Sequence, residues 1–322
     1  MFCSQPFNQV EIYENGEVYT CCPDFINHYS IGNIFKTPFE QIWNGEKVLN
    51  FRKKILNNDF SICKDICHRK LMIEENTDYK TELIEKFPSE ISISTDKSCN
   101  VKCTICRDEH INNKYNDKDI EKEINNIWLP ILKDAKLVKF GCTGEPFFSK
   151  KESVLIKKSA EKYPNLKFHF HTNGILGTEK KLNELGIYNR IKSITVSMHA
   201  YNEKTYKRIV KDGNYKKVRT NLNLYAKMKK NNLIQDFRLI FVVIADNYKE
   251  MPEFAQLAKE LGATVEFWAY RKNSTNLGQN YKKTAIIEKE HEEHENLLNI
   301  LKNEIFNETH INLYPEIKNL RR

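Results

Sequence analysis

From residue 86 onward the chain alternates two hydrophobic patterns. Short runs rich in Ile, Val and Phe, at 90–95, 136–141, 166–172, 191–198, 237–245 and 264–270, have the length and β-branched character of strands. Between them, apolar residues spaced three and four apart predict helices, for example over 117–133, 151–162, 178–186, 213–230 and 251–261. Strand and helix in strict alternation predict an α/β fold with a parallel sheet and right-handed crossovers. On such a sheet, functional residues gather at the C-terminal ends of the strands.

The first 85 residues have a different texture. Val10–Tyr13, an Asn15-Gly16 pair and Glu17–Thr20 read as strand, tight turn, strand, a hairpin that ends at Cys21 and Cys22. Short amphipathic helices are predicted at Phe39–Trp43 and Val48–Ile55. The stretch after Thr284 reads as mostly helical and as packing on the sheet domain. The expected organisation is therefore a small cysteine-bearing domain over 1–85, an α/β domain over 86–275 and a helical tail over 276–322.

Composition narrows the classes. A chain of 322 residues can bury a full core, and its hydrophobic share of 40% is ordinary. The longest wholly apolar run, Leu239–Ala245, is too short to span a bilayer, so no membrane partner is expected. The start, Met-Phe-Cys-Ser-Gln-Pro, has neither the basic nor the apolar region of a secretory signal. Nine cysteines in such a chain point to reduced thiols, metal sites and a cytoplasmic location rather than to disulfides. The net charge of +8 draws on Lys204–Lys230, where ten basic residues face one acid, Asp212. Solvated helices explain that run; a nucleic-acid contact is the sharper alternative.

The chemistry-bearing stretch is Cys99-Asn-Val-Lys-Cys103-Thr-Ile-Cys106, placed just past the strand at 90–95. Three thiolates this close suit soft metals. A cube of four irons held by three cysteines keeps one iron open, which makes a reactive site; zinc would need a fourth ligand, for which His110 is near enough. In the N-terminal segment, Cys3, one of Cys21 or Cys22, Cys63 and Cys67 suggest a closed tetrathiolate site, and spacing alone leaves iron–sulfur and zinc equally open. The other strand ends carry Gly141-Cys-Thr-Gly-Glu-Pro146, His171-Thr-Asn-Gly174, Val196-Ser-Met-His-Ala200 and Ile244-Ala-Asp-Asn247. Glu145 offers a carboxylate to a cationic amine. His169 and His171 share a strand face, and with His199 they are candidate proton acceptors or substrate anchors. Glu266, Trp268 and Tyr270 share a face as core or substrate wall. Cys142 reads as an inert thiol or a hydrogen donor, and His291 and His294 as part of a solvated helix face.

These motifs, in this order, resemble those of the radical S-adenosylmethionine (radical SAM) superfamily. The resemblance covers roughly 88–270 and rests on CNVKCTIC, GCTGEP, HTNG, SMHA and the strand-five Asn. It implies a partial (β/α)6 barrel with a [4Fe–4S] cluster on Cys99, Cys103 and Cys106, whose open iron chelates the amine and carboxylate of SAM. It further implies that Gly144 and Glu145 meet the methionyl amine, Ser197 the ribose or carboxylate, Arg208 the carboxylate, and that Asn247 lies near the cofactor. His171 and His199 remain the candidate catalytic residues. Residues 1–85 resemble the SPASM or twitch auxiliary-cluster domain through Cys3, twelve residues, Gly16, four residues and Cys21, completed by Cys63 and Cys67. In that family the domain usually follows the barrel; here it precedes it. The resemblance shifts this site toward a second [4Fe–4S] cluster.

The implied function is an oxidoreductase. Reductive cleavage of SAM to a 5′-deoxyadenosyl radical would be followed by hydrogen abstraction from a sugar, aminocyclitol or peptide side chain. The auxiliary cluster would accept an electron, and a flavodoxin- or ferredoxin-type protein would supply the reducing one. The alternatives are a radical RNA-modifying enzyme using the basic run and a non-catalytic zinc-binding adaptor.

Overall fold

The structure, a computed structural model, describes residues 2–64, 67, 79–107, 109–271 and 281–321. The expected boundary at 275/276 lies outside the described residues, as do Asp65 and Ile66 of the Cys63–Cys67 stretch. The strands are β1 (Gln9–Ile12), β2 (Glu17–Tyr19), β3 (Gly32–Asn33), β4 (Glu90–Ile93), β5 (Lys102–Cys103), β6 (Leu137–Phe140), β7 (Lys167–Thr172), β8 (Ile191–Ser197), β9 (Val210–Lys211), β10 (Asp236–Val243), β11 (Thr264–Ala269) and β12 (Ile311–Leu313). All the strands expected after residue 86 are present, within a few residues of their expected ends.

The chain forms two compact units. The first comprises Met1–Lys97, Asn113–Gly144 and Ser149–Phe168. Its strands lie in the order β6-β4-β1-β2-β3. The expected hairpin is there: Glu11 pairs with Tyr19, and Gly16 takes φ +81 at the turn, where a Cβ would come within 2.5 Å of Phe35. Its strand β1 also runs parallel to β4, with Gln9 beside Glu90 and Ile12 beside Ile93. The cysteine-bearing segment is thus continued by main-chain pairing into the strand that leads toward the triplet. Helix Lys150–Lys162 begins at Ser149, whose hydroxyl accepts from Glu152 N. Ser149 and Glu152 form the sequence pattern of a capping box, but the Glu152 carboxylate accepts instead from Thr95 N at the end of β4. The helix expected over 117–133 is interrupted: Asp117–Glu123 is α-helical and Ile124–Trp128 widens to a π-turn.

The second unit comprises Ser98–Asn112, Glu145–Phe148 and His169–Arg322. Its strands lie in the order β12-β11-β10-β8, with the His169–Thr172 part of β7 beside β8. One face of these strands is mostly apolar and buried, with Phe170 on β7, Val196 on β8, Leu239 and Phe241 on β10, and Val265 and Phe267 on β11 all at 0% exposure. Burying each such side chain contributes about 1.5–3 kcal/mol. The opposite face is mixed, with His169 and His171 on β7, Ser193 and Ser197 on β8, Arg238, Ile240 and Val242 on β10, and Glu266 and Trp268 on β11. The tail departs from expectation: it supplies strand β12, parallel to β11 with Val265 beside Ile311, as well as helix His294–Leu301. His294 is buried and shares a hydrogen bond with Ile286 O, so it does not sit on a solvated face; His291 is half-buried, with Nε2 bonded to Lys283 O. The basic run occupies helices Glu203–Ile209 and Tyr215–Lys230. Their apolar residues, Tyr206, Ile209, Val218, Leu222, Tyr225 and Met228, are buried, and Lys207, Lys216, Lys217, Lys227 and Lys230 take the outward side.

Candidate active site

The cysteine loop is fixed at several points of the second unit. Cys99 N donates to Ile111 O at 2.9 Å, closing the loop's mouth. Strand β5 pairs antiparallel with β9, placing Cys103 beside Val210, and Thr104 N donates to Ile209 O at 2.8 Å. Cys106 N and Arg107 N both turn back onto Cys103 O, so the last two cysteines sit on one tight turn. Loss of solvent raises the Cys103 thiol well above its ordinary range, and Cys106 and Cys99 raise it further. Burial raises the Cys99 thiol too. His110 turns to Asp212, 2.9 Å away, and is largely exposed.

Two strand-end motifs converge on this loop. Glu145 N donates to Ser98 O at 2.9 Å. The Glu145 carboxylate, 1% exposed, accepts from Thr172 Oγ1 at 2.7 Å, Asn173 N at 2.7 Å and Phe147 N at 3.3 Å. A carboxylate has about four acceptor positions, so one remains, on Oε2. Burial raises its pKa to about 7, and the donors from Asn173, Thr172 and Phe147 oppose that rise. Gly144, just before it, is half-buried in the turn. Asn173 Nδ2 reaches both Asn100 Oδ1, at 2.9 Å, and Cys99 Sγ, at 3.8 Å. Gly174, at φ +79, permits the turn that aims Asn173; a Cβ there would meet Val196 at 2.8 Å. Thr172 and Asn173 lie within the HTNG motif, which is the signal from which their place at the site could have been found.

The remaining expected residues are each tied to the protein itself. Ser197 Oγ and His171 Nε2 share a hydrogen bond of 2.6 Å, and one step down the same strands His169 and Ser193 share one of 2.7 Å. Arg208 donates to Asp246 O at 2.9 Å and lies 3.5 Å from the Asp246 carboxylate. Asn247, 1% exposed, is a clasp between strand ends: Nδ2 donates to His199 O and Val242 O, and Oδ1 accepts from Ile244 N. His199 itself has φ +61, and its Nδ1 accepts from Val242 N. That bond leaves Nε2 to carry the proton of a neutral ring. Farther along the same strand face, Arg238 lies 3.6 Å from Glu266, Trp268 Nε1 donates to Glu266 at 3.0 Å, and Trp268 packs against Tyr314 at 4.9 Å. Cys142, in the first unit, has an open surface. The surrounding walls still displace enough water to raise its thiol, with Glu11 and Glu152 adding to the rise.

Burial lowers the His171 pKa to about 4 and that of His199 to about 3, the latter also through His171. Both rings are neutral at pH 7. Unfolded histidine titrates near 6.5, so in acid the unfolded chain binds protons that these rings refuse, and stability falls with pH below about 6.5. Glu145 shifts the opposite way, so it works against this loss. A difference measurement separates the two. Comparing wild type with His171→Gln by urea denaturation at pH 7.5 and pH 5, the wild type should lose about 2 kcal/mol relative to the variant. A difference independent of pH would contradict the buried neutral ring.

In the first unit, Cys21 lies in an apolar cluster with Phe2, Phe7, Ile26, Phe51 and Ile55, and Cys3, Cys22 and Cys63 pack against it. Lys64 N donates to Phe25 O at 2.8 Å, which draws the Cys63 stretch to the end of the hairpin. Cys67 is buried. Burial and then Glu11 push the Cys22 thiol up to about 12. Thr20 Oγ1, beside Cys21, is buried without a partner among the described residues. No disulfide joins any of the nine cysteines.

The family model for the radical SAM superfamily matches residues 93–258, and the model for SPASM, an iron–sulfur cluster-binding domain, matches residues 3–68. The first match covers over half of the chain, and the chain belongs to the radical SAM superfamily. Its fold is accordingly the α/β partial barrel of that superfamily, preceded by a SPASM domain. A curated relative is a tungsten-containing aldehyde ferredoxin oxidoreductase cofactor-modifying protein from Pyrococcus furiosus, 26% identical over 173 residues, which are 51% of this chain and 46% of that protein. The chain thus matches about half the length of that relative. Similar solved structures include anSMEcpe with bound AdoMet (19% identity, 70% of this chain, 62% of that chain, TM-score 0.43) and TYW1 with a lysine–pyruvate adduct (15%, 66%, 72%, TM-score 0.39).

The cofactors of the superfamily are a 4Fe–4S cluster and SAM, and a SPASM domain binds auxiliary iron–sulfur clusters. The donors fit these groups. Three thiols on one loop hold one another's charge off, a conflict that binding to iron relieves, because metal-bound cysteine is deprotonated outright. Cys3, Cys21 and Cys63, with Cys22, share one apolar cluster, the shielded setting of a closed site. Among the described residues, no three His, Cys, Asp or Glu side chains converge on a single-ion position. No helix among them is long and apolar enough to cross a membrane.

Proposed function

We propose that the protein is a radical SAM oxidoreductase acting on a small hydroxylated or aminated molecule of sugar or aminocyclitol type. Cys99, Cys103 and Cys106 hold the SAM-binding cluster, and Cys3, Cys21, Cys63 and Cys67 hold the auxiliary one. When bound, the first cluster would supply the electron for reductive cleavage of SAM and so the oxidising equivalent for hydrogen abstraction, and the auxiliary cluster would take up the substrate's remaining electron. A flavodoxin- or ferredoxin-type protein is the external reductant. Gly144 and the remaining acceptor position of Glu145 receive the methionyl amine. Ser197 and Arg208 face the ribose and carboxylate.

Asn173 and Asn247 act as positioning residues: one aims the cysteine loop, the other locks the ends of β8 and β10. A general base works best with a pKa near the working pH. At about 4 and 3, His171 and His199 are poor bases. His171 serves instead as a hydrogen-bonding anchor through its pair with Ser197, and His199 as part of the strand-end clasp. The observation that carries the substrate class is a set of polar pairs on one strand face. It offers paired neutral groups, His169 with Ser193 and His171 with Ser197, and an aromatic wall of Trp268 and Tyr314. Hydroxyl-bearing rings are recognised by such groups, with apolar faces against aromatics and polar edges on hydrogen bonds.

The test uses a panel of aminocyclitols, sugars and short peptides with SAM and dithionite under argon. Wild type should oxidise a member of the first two classes by two electrons in step with 5′-deoxyadenosine formation. The Cys63→Ala and Cys67→Ala proteins should still form 5′-deoxyadenosine and lose the oxidised product. Full product yield from either variant would sink the electron-acceptor role. Turnover confined to peptides would overturn the substrate class.

A further inference from the structure

Tyr206 occupies the middle of helix Glu203–Ile209 with 0% of its surface exposed, and its hydroxyl has no hydrogen-bond partner among the described residues. Leaving a buried hydroxyl unpaired costs about 1–3 kcal/mol, so such groups are rare and mark an unshown partner. The ring has little freedom to turn. Gly213 lies so close that a Cβ there would be 2.7 Å from Tyr206 Cε1, and Tyr215 packs edge-on at 5.5 Å. The helix that carries Tyr206 is pinned to the cysteine loop one turn later, through Ile209 O to Thr104 N and Val210 beside Cys103. Its hydroxyl pKa is raised by burial and, in decreasing order, by the charges of Cys103, Glu145 and Cys99, in keeping with the ties of its helix to the cysteine loop at Ile209 and Val210. Of these, Glu145 has its acceptor positions largely filled by Thr172, Asn173 and Phe147. The cysteine side offers the open acceptors.

We propose that the Tyr206 hydroxyl donates a hydrogen bond to a sulfur of the cluster held by Cys99, Cys103 and Cys106, on its Cys103 side. This rests on the assignment of those three cysteines as ligands. A donor on a cluster sulfur stabilises the added electron and raises the reduction potential. Tyr206 thereby eases the reduction on which SAM cleavage depends. No motif spacing singles it out; its role comes from burial and from the helix being tied to the loop.

The test compares wild type with Tyr206→Phe, as full-length protein reconstituted anaerobically. The paramagnetic signal that changes when SAM is added identifies the cluster to follow in a redox titration. The variant should hold the same iron and sulfide, and the midpoint potential of that signal should move negative. Replacing Tyr206 with 3-fluorotyrosine, a more acidic donor of the same shape, should move it positive. In the iron-free protein the hydroxyl has nothing to bond, so Tyr206→Phe should melt at the same temperature as wild type or higher. An unchanged potential in both variants overturns the proposal. So does a lowered melting temperature of the iron-free variant, which would reveal a protein partner for the hydroxyl. If Cys103→Ala keeps the SAM-responsive signal, the ligand assignment itself is wrong and the proposal falls with it.

Discussion

The Cys103→Ala protein, reconstituted under argon, is expected to bind about four irons fewer than wild type and to form no 5′-deoxyadenosine above background. Cys103 is the best anchored of the three loop cysteines. Strand pairing with β9 holds its backbone beside Val210, and its carbonyl organises the turn that carries Cys106. Its removal therefore deletes a ligand without freeing the loop, and the loss reads on the metal rather than on the fold. Alanine at Cys99 or Cys106 should give the same iron deficit. Alanine at Cys22 or Cys142 should not, because neither is among the seven assigned ligands. Full iron in Cys103→Ala, or an iron deficit in Cys142→Ala, would move the site.

Arg52 carries the largest effect on stability. It is 0% exposed, with no carboxylate among its bonded partners. Nε donates to Pro6 O at 2.8 Å, and Nη1 donates to Asn44 Oδ1 at 3.0 Å and to Glu82 O at 2.9 Å. Its guanidinium also lies 4.1 Å from the centroid of Trp43. Burial lowers its pKa to about 10, which still leaves it charged at neutral pH. One planar fork thus joins three separate stretches of the first unit. Arg52→Met fills the space but takes the guanidinium donors from Pro6 O and Glu82 O, while Asn44 Oδ1 keeps Ile84 N at 3.3 Å, and should cost about 2–4 kcal/mol in urea denaturation. Arg52→Lys keeps the charge but not the fork, and should recover only part of that loss. A loss below about 1 kcal/mol in Arg52→Met would show that the clamp is not needed.

The strands were legible because a β-branched or aromatic run of fixed length survives wherever one face is buried. The run at 166–172 became Lys167–Thr172 and that at 264–270 became Thr264–Ala269. Strand β12 was not legible. Ile311–Leu313 is too short to show a period, and it is a strand only because β11, forty residues earlier, offers an edge. Helix Glu203–Ile209 was legible only as one of the solvated helices of the Lys204–Lys230 run, without its bounds: its charged residues face solvent, Thr205, Tyr206 and Ile209 are buried, and only the Asn202 cap, accepting from Thr205 N, marks its start. At the site, residue type and spacing singled out the cysteine triplet and Glu145 as candidates. Asn173 was visible only as part of the HTNG motif, and Tyr206 carries no comparable signature, since a phenol acquires its meaning from what folding brings beside it. His294 shows the reverse error, where a charged neighbourhood in sequence concealed a buried side chain.

The most direct measurement is a single anaerobic turnover of the reconstituted full-length protein with SAM and dithionite, read by chromatography for 5′-deoxyadenosine. The wild-type protein should produce it, and the protein with Cys99, Cys103 and Cys106 all replaced by alanine should not. Wild-type protein that carries its full iron and sulfide yet leaves SAM intact would contradict the assignment of an open, SAM-binding iron at the end of β4.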